Sequence, residues 1–354
     1  MGEINNSDIT FVLQGPVCGM PGRPHDQNIT CDSIASIRKY FPSSRIIVST
    51  WVNQPTAHLD YDRLVVSEDP GPTVVGYGKT ARNPKINNVN RQIVSTLNGL
   101  RRVETKYAVK VRSDIVFNSD VFKIFFEKYP ARDSRYVISK KRIVGSSCYA
   151  REYYLGLPIA FHPSDFFFFG LLDDLILLWD VPLIEDYKFR RLYFGKSQSI
   201  GFPGDSLVPE QIIFLSFVNK IKSMSISHFL GGGRREQDFS KRVIVNNIVT
   251  IESEKLGLDV LDRFNKPDSM FDGCFNYSLS RWEELYKKFC DPDFFLYESK
   301  GGILKRWFIR FSYFIGFGLR VRYRYYLRKI KHFIRCAIVR SRFRRLFYSS
   351  SDLD

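Results

Sequence analysis

The first 140 residues of the chain alternate short apolar runs with longer amphipathic runs, and no other feature constrains the fold as strongly. Strand-like runs occupy residues 9–15 (ITFVLQG), 44–51, 63–69 and 106–114. Helix-like runs occupy residues 28–41 and 87–103. Strands separated by helices favour βαβ units, which build a mostly parallel sheet with helices on both faces. The sequence therefore predicts an α/β, Rossmann-like fold.

The rest of the chain predicts mixed structure followed by a separate segment. Three further elements are expected: a strand at residues 135–141, a strand or turn running into a helix at 161–180, and a helix at 208–221. The composition changes near Gly301, where basic and aromatic residues begin to alternate. We therefore expect one domain over residues 1–300 and a basic, aromatic and helical tail over residues 301–354.

Polar side chains follow three of the predicted strands, at residues 14–16, 68–70 and 112–114. In open α/β sheets, ligands bind beyond the carboxyl ends of the strands. Lys110, Arg112 and Asp114 also place three charges along one predicted strand, although strand interiors usually exclude charge. Two explanations compete: a strand that ends at the surface with an Arg–Asp pair, and a site for phosphates and a metal ion.

Five blocks of the sequence, taken in order, resemble the WavE family of lipopolysaccharide-synthesis proteins. They are ITFVLQGPV, SIRKYFPSSRIIVSTW, NVNRQIVSTLNGL, KVRSDIVF and HPSDFFFFG, and they lie within residues 8–230. That family looks like nucleotide-sugar glycosyltransferases with a GT-A type fold, which act on lipopolysaccharide core, O-antigen or capsule chains. The resemblance therefore implies a nucleotide-sugar donor and a glycan or lipid-linked glycan acceptor.

The resemblance implies a donor site around Asp114. GT-A enzymes use an Asp-x-Asp at a strand end to hold a divalent cation, and the matching tripeptide here is RSD. Asp114 would then bind Mn²⁺ or Mg²⁺, whose preferred ligands are carboxylate and phosphate oxygens. Arg112 stands where the first aspartate is expected, and its guanidinium suits direct neutralisation of a diphosphate.

Further donor-binding residues are expected on the neighbouring predicted elements. Gln14 could hydrogen-bond the nucleotide base, and Gly15 would let the backbone approach it, although a plain turn explains both residues equally well. Asn90 and Arg91 lie in the first turns of a predicted helix, whose N-terminus attracts anions. The alternative is a capped helix with an exposed arginine. Lys110 would add a second cation for the diphosphate.

Three residues are candidates for the acceptor side and for the metal ion. Asp165 precedes four phenylalanines, so its carboxylate is at a surface, paired or raised in pKa, and it is our first candidate for the general base. Glu210, at a helix start, is the second candidate, although the helix dipole alone explains an acid there. His228 is a candidate second metal ligand, and a structural histidine is the alternative.

The net charge of +16 is concentrated near the C-terminus. Between Lys300 and Ser351 there are 15 Lys and Arg and no Asp or Glu. Aromatic and aliphatic residues interrupt the charges, which favours an anionic membrane surface over nucleic acid or a solvated helix. The N-terminal residues MGEINNSD do not resemble an export signal. The six cysteines form no C-x-x-C pair and have no regular spacing, which favours reduced thiols. We expect a cytoplasmic protein, peripheral on the inner face of the cell membrane.

These observations predict a glycosyltransferase that moves a sugar from a nucleotide-sugar to a lipopolysaccharide, O-antigen or capsule acceptor. The RSD tripeptide keeps one alternative open, a catalytically inactive protein of the same fold that binds a glycan or a partner at the membrane. Nucleic-acid binding through the tail is disfavoured.

Overall fold

Strands and helices alternate along most of the chain in the computed structural model. It describes residues 4–17, 27–77, 82–188, 191–192, 196–197, 206–226, 228–261, 272–296, 300–324, 326–327, 330 and 334. The strands are β1 Ile9–Gln14, β2 Arg45–Trp51, β3 Arg63–Ser67, β4 Thr73–Tyr77, β5 Pro84–Asn87, β6 Tyr107–Arg112, β7 Ile115–Phe117, β8 Ile143–Ser146, β9 Tyr153–Tyr154, β10 Leu157–Pro158, β11 Phe167–Leu171, β12 Arg191–Leu192, β13 Lys196–Ser197, β14 Ile248–Ile251 and β15 Leu258–Val260. The α-helices are α1 Gln27–Tyr40, α2 Val89–Leu100, α3 Leu172–Trp179, α4 Pro209–Val218, α5 Arg234–Asn247, α6 Asp272–Phe275, α7 Leu279–Phe289 and α8 Lys300–Tyr313.

Seven strands form the central sheet, in the order β14-β8-β11-β6-β1-β2-β3. Four of the six pairings are parallel, and only β11 runs against its two neighbours. The predicted α/β, Rossmann-like fold with a mostly parallel sheet is confirmed. The chain proceeds from β1 outward through β2 and β3, then returns to place β6 on the other side of β1. The strand order therefore reverses between β1 and β6, which is where open α/β sheets form their ligand crevice.

Helices cover both faces of the sheet, and β1 contributes apolar side chains to each face because successive side chains of a strand point in opposite directions. Phe11 packs against Phe41, at the end of α1, and against Phe117 and Phe122. Val12 points to the opposite face, where α2 packs on the sheet. A Cβ at Gly99 of α2 would collide with the side chain of Val12. This glycine therefore allows a close helix–sheet contact that the sequence alone does not reveal.

The strand predicted at residues 135–141 is wrong. A short 3₁₀ turn covers Ser134–Tyr136, and the strand of this region begins later, with β8. Asn247 Oδ1 accepts hydrogen bonds from the backbone N–H groups of residues 138 and 139 at 2.7 and 3.0 Å. Asp174 accepts those of residues 140 and 141 at 2.6 and 2.9 Å. Side chains distant in sequence thus take the donors that a strand would have used for pairing.

The beginning of the basic tail is helical, as predicted. α8 continues through a π-helical turn, Phe314–Gly318, and remains helical to residue 324. A search of the described residues for membrane-spanning helices finds no candidate. Among the cysteines that the structure describes, Cys31 and Cys290 are reduced thiols.

Candidate functional site

The carboxyl ends of β1 and β6 lie side by side. Gln14 is the register partner of Arg112, and the turns that follow the two strands are hydrogen-bonded together. Ser113 donates its backbone N–H to Gln14 O at 3.1 Å and its hydroxyl to Pro16 O at 2.6 Å. Gly15 has a φ of +117°, a conformation that disfavours other residues. Two of the three predicted polar clusters therefore meet at the reversal of strand order.

Arg112 and Asp114 form a two-pronged ion pair at this edge. The guanidinium donates to both carboxylate oxygens, at 2.8 and 2.7 Å, and lies 5.0 Å from the centroid of the Phe166 ring. The side chain of Asp114 is 3% exposed, whereas that of Arg112 is 25% exposed. Burial alone would lower the pKa of Arg112, but the charge of Asp114 raises it. The site thus presents a fixed positive charge to solvent above a buried counter-charge.

The carboxylate of Asp114 already has a cationic partner. Both oxygens of its carboxylate accept from Arg112, and Arg112 already supplies the positive charge that a cation would bring. Among the described residues, no three His, Cys, Asp or Glu side chains converge to hold a metal ion. His228 is partly buried just before α5. Metal binding by Asp114 and His228 stays a prediction.

Lys110 is the buried charge of β6. Its side chain has no exposed surface, its ammonium donates to the backbone carbonyl of Asp165, and it lies 4.7 Å from the Trp179 ring centroid. Burial lowers the pKa of Lys110 to about 7, although the charges of Asp165 and Asp114 oppose this. The contact with Asp165 explains how a strand interior accommodates a lysine: the ammonium supports the segment that carries the candidate base.

Asp165 and Glu210 lie close enough for their charges to interact. Asp165 is buried beside β11, and Glu210 occupies the first turn of α4, where it is partly buried. Burial raises the pKa of Glu210 to about 8, and the nearby charge of Asp165 is the second largest cause of this rise. The charge of Arg112 also acts on Glu210. The two candidate bases therefore share one site with the Arg112–Asp114 pair.

The remaining predicted residues already have structural partners. The side-chain amide of Asn90 donates to and accepts from the backbone of Ile184, at 2.8 Å in each case. Arg91 forms a two-pronged ion pair with Asp69, at 2.7 and 2.5 Å, which lowers the pKa of Asp69. Buried Gln14 accepts from the Ser95 hydroxyl at 2.8 Å. These contacts position the loops at the site, and nucleotide binding by the three residues stays a prediction.

Sequence reasoning missed Arg151. The charge of Arg151 acts on both Glu210 and His162, and its guanidinium lies 5.0 Å from the Tyr149 ring centroid. Burial lowers the pKa of His162 to about 3, and the positive charge of Arg151 is the second largest cause, so this histidine is neutral. Arg151 stands in an aromatic stretch, CYAREYY, which is the only sequence signal that it carries.

The fold and the site together define a Rossmann-like α/β protein with a charged candidate site at the switch point of its sheet. A family model described as WavE lipopolysaccharide synthesis matches residues 9–307, from β1 into α8. The chain belongs to the WavE lipopolysaccharide synthesis family, which gives it a role in lipopolysaccharide biosynthesis. No curated protein matches it significantly.

Proposed function

We propose that this protein is a glycosyltransferase with a GT-A-like fold, which moves a sugar from a nucleotide-sugar donor to a lipopolysaccharide, O-antigen or capsule acceptor. One observation carries the proposal: the Arg112–Asp114 pair lies beside the Gly15 turn at the reversal of strand order. Both sides of this crevice come from strands that the family match includes. A nucleotide diphosphate carries the negative charge that an arginine at such an edge would bind.

The donor diphosphate would lie on the exposed part of Arg112. Its guanidinium is fixed by Asp114 on one side and by the Phe166 ring on the other, so little reorganisation accompanies binding. Gly15 lacks a side chain, which leaves room for the nucleotide near the backbone. As the sugar leaves, negative charge develops on the diphosphate, and Arg112 stabilises it. Lys110 is buried beneath Arg112, and its ammonium positions the backbone carbonyl of Asp165.

The acceptor hydroxyl would lose its proton to Asp165 or Glu210 if the reaction inverts configuration. Glu210, with a pKa of about 8, is a stronger base than an ordinary carboxylate once it is deprotonated. If the reaction retains configuration, neither carboxylate has to act as a base. The acceptor is glycan or lipid-linked glycan, which supports a peripheral location on the inner face of the cell membrane, with residues 301–354 as the association segment.

Calorimetric titration tests the donor site directly. The purified protein is titrated with UDP, GDP, CMP and dTDP, each with and without Mn²⁺, and the titrations are repeated on Asp114→Ala and Arg112→Ala. Arg135→Ala is the matched control, because Arg135 forms the same two-pronged pair with Asp133 on the surface, at 3.0 and 2.7 Å. We expect selective binding of one nucleotide, weakened about tenfold or more in both site variants and unchanged in the control.

A catalytically inactive glycan-binding or partner-binding protein of the same fold is the second candidate. The arginine in RSD, where a transferase of this type is expected to carry an aspartate, favours it. Absence of binding by all four nucleotides at millimolar concentration, together with binding of a lipopolysaccharide oligosaccharide, would establish this candidate and overturn the transferase.

A further inference from the structure

Helix α8 is attached to the body by one of its faces. Arg306 is buried and forms an ion pair with Glu284 of α7. Arg310 donates to the backbone carbonyl of Cys274 and to the carboxylate of Glu152, the latter at 3.0 Å. The start of the basic tail is therefore joined to the body by paired charges, and it does not extend from the body as a free tether.

Glycines bring the backbone of this helix against the β9–β10 hairpin. A Cβ at Gly156 would lie 2.5 Å from the backbone nitrogen of Phe314, and a Cβ at Gly318 would lie 2.7 Å from the carbonyl oxygen of Leu155. Only residues without side chains permit such approach. The attachment therefore fixes which face of the helix points outward.

The outward face is a continuous apolar stripe. Its members, which we call the α8 stripe, recur every three or four residues and are large and exposed: Leu304, Trp307, Phe308, Phe311, Ile315 and Leu319. Exposure reaches 66% at Leu304 and 63% at Phe308. The rings of Trp307 and Phe311 are stacked, with centroids 5.3 Å apart. At about 1.5 Å per residue the stripe is roughly 22 Å long. It is therefore a continuous apolar patch, whereas the exposed apolar residues of an ordinary surface are scattered singly.

Exposed cations accompany the stripe without any acid. Lys305, Arg320, Arg322 and Arg324 are exposed, and no Asp or Glu occurs from residue 300 to residue 351. A partner helix of a coiled coil would usually be matched by charges of both signs. Aromatic and aliphatic side chains bordered only by Lys and Arg are instead typical of a helix that lies in a bilayer interface. The charge complement of this face is an anionic headgroup layer.

We propose that the α8 stripe is a docking surface for an anionic lipid bilayer, and that the Arg306 and Arg310 ion pairs hold the body in a fixed orientation on it. The stripe enters the interface, and the neighbouring cations contact the lipid phosphates. Because α8 is fixed to the body, the whole domain docks as a unit. The proposal deepens the peripheral membrane location proposed above, on which it rests. Its test requires neither nucleotide nor acceptor, so its failure would leave the donor-site proposal standing.

Vesicle co-sedimentation tests the surface with the full-length protein. Phosphatidylcholine vesicles with and without phosphatidylglycerol are compared for the wild type and for the double variant Trp307→Ser, Phe311→Ser. Phe295→Ser is the control, because Phe295 is 73% exposed and lies outside the stripe. We expect binding to the anionic vesicles, a partition coefficient about tenfold or more lower in the double variant, and no change in the control. Equal binding of the double variant, or no binding of the wild type, overturns the proposal.

Tryptophan fluorescence gives an independent reading of the same contact. The chain has four tryptophans, and Trp51, Trp179 and Trp282 are buried, whereas Trp307 is 59% exposed. Insertion of the stripe should shift the tryptophan emission to shorter wavelength and should reduce the quenching of Trp307 fluorescence by acrylamide. Trp307→Phe should abolish the shift while vesicle binding persists. Concentration-dependent dimers that the double variant removes, with no shift on vesicle addition, would assign the stripe to a second copy of the chain and overturn the proposal.

Discussion

Replacing Glu152 by Gln should destabilise the protein far more than the same change at an exposed glutamate. Glu152 is fully buried, and its carboxylate lies 2.7–3.0 Å from the cationic nitrogens of Lys241, Arg281 and Arg310. At an effective dielectric constant of about 20, a charge pair about 3 Å apart is worth about 5 kcal/mol, against a desolvation cost of several kcal/mol for each buried ion. Because Gln leaves three cations facing a neutral amide, we expect the free energy of unfolding to fall by about 3–5 kcal/mol.

Urea unfolding, followed by circular dichroism, measures this loss. Glu104→Gln is the matched control, because Glu104 is 63% exposed and pairs with Arg45 and Arg63, so it should lose less than about 1 kcal/mol. Burial alone would raise the pKa of Glu152, but the surrounding cations lower it below the ordinary value of 4.5. The stabilisation is therefore present above pH 4.5 and is lost as the pH falls below it, so the wild-type advantage should shrink there. Equal losses in the two variants at neutral pH would refute the reasoning.

Three further substitutions test other parts of the structure. Gly99→Ala should lower the free energy of unfolding by about 1–3 kcal/mol, because the added Cβ overpacks against Val12, and a melting experiment should show a lower thermal midpoint even though Ala is the better helix former. Gly15→Ala should cost roughly 1 kcal/mol or more of stability, because of the positive φ, and should weaken nucleotide binding in a titration; unchanged values for both would contradict the strained turn. The raised pKa of Glu210 makes the wild type less stable as the pH rises from 4.5 to about 8, so Glu210→Gln should flatten that slope in urea unfolding.

The sheet could be predicted because its strands carry their signals locally. β1, β2, β3 and β6 are short apolar runs closed by polar residues, and parallel strands with the same connection direction end at the same edge. That rule is enough to place residue 15 and residue 113 at the same edge of the sheet. It says nothing about side-chain partners, which depend on residues distant in sequence.

The missed features all depend on such distant partners. The segment 135–141 has a strand-like composition, yet Asn247 and Asp174 take its backbone donors. The ion pair between Arg91 and Asp69 also has no local signal in the sequence. The contact between Arg310 and Glu152 joins residues 158 positions apart. No local pattern in the sequence encodes these pairings, because each is decided by where the elements meet.

Arg112, the arginine of RSD, would contact phosphate directly at this site. Asp133 and Arg135 form the same fork on the protein surface, so the fork alone does not make a binding site. What distinguishes the pair at the sheet edge is its place at the reversal of strand order and the depth of its carboxylate, which is 3% exposed in Asp114 and 16% in Asp133. Arg112 then stands as a permanent cation where a carboxylate would have needed a metal ion.

Nucleotide affinity should therefore not require a divalent cation. In calorimetric titrations, EDTA should change the affinity of the preferred nucleotide less than about twofold, whereas Arg112→Ala should lower it about tenfold or more. Arg112→Lys is informative as well, because a lysine restores the charge but not the planar fork, and it should recover only part of the affinity. If EDTA abolishes binding and Mn²⁺ restores it, then a metal ion carries the diphosphate charge, and the Arg112–Asp114 pair opens when the nucleotide enters.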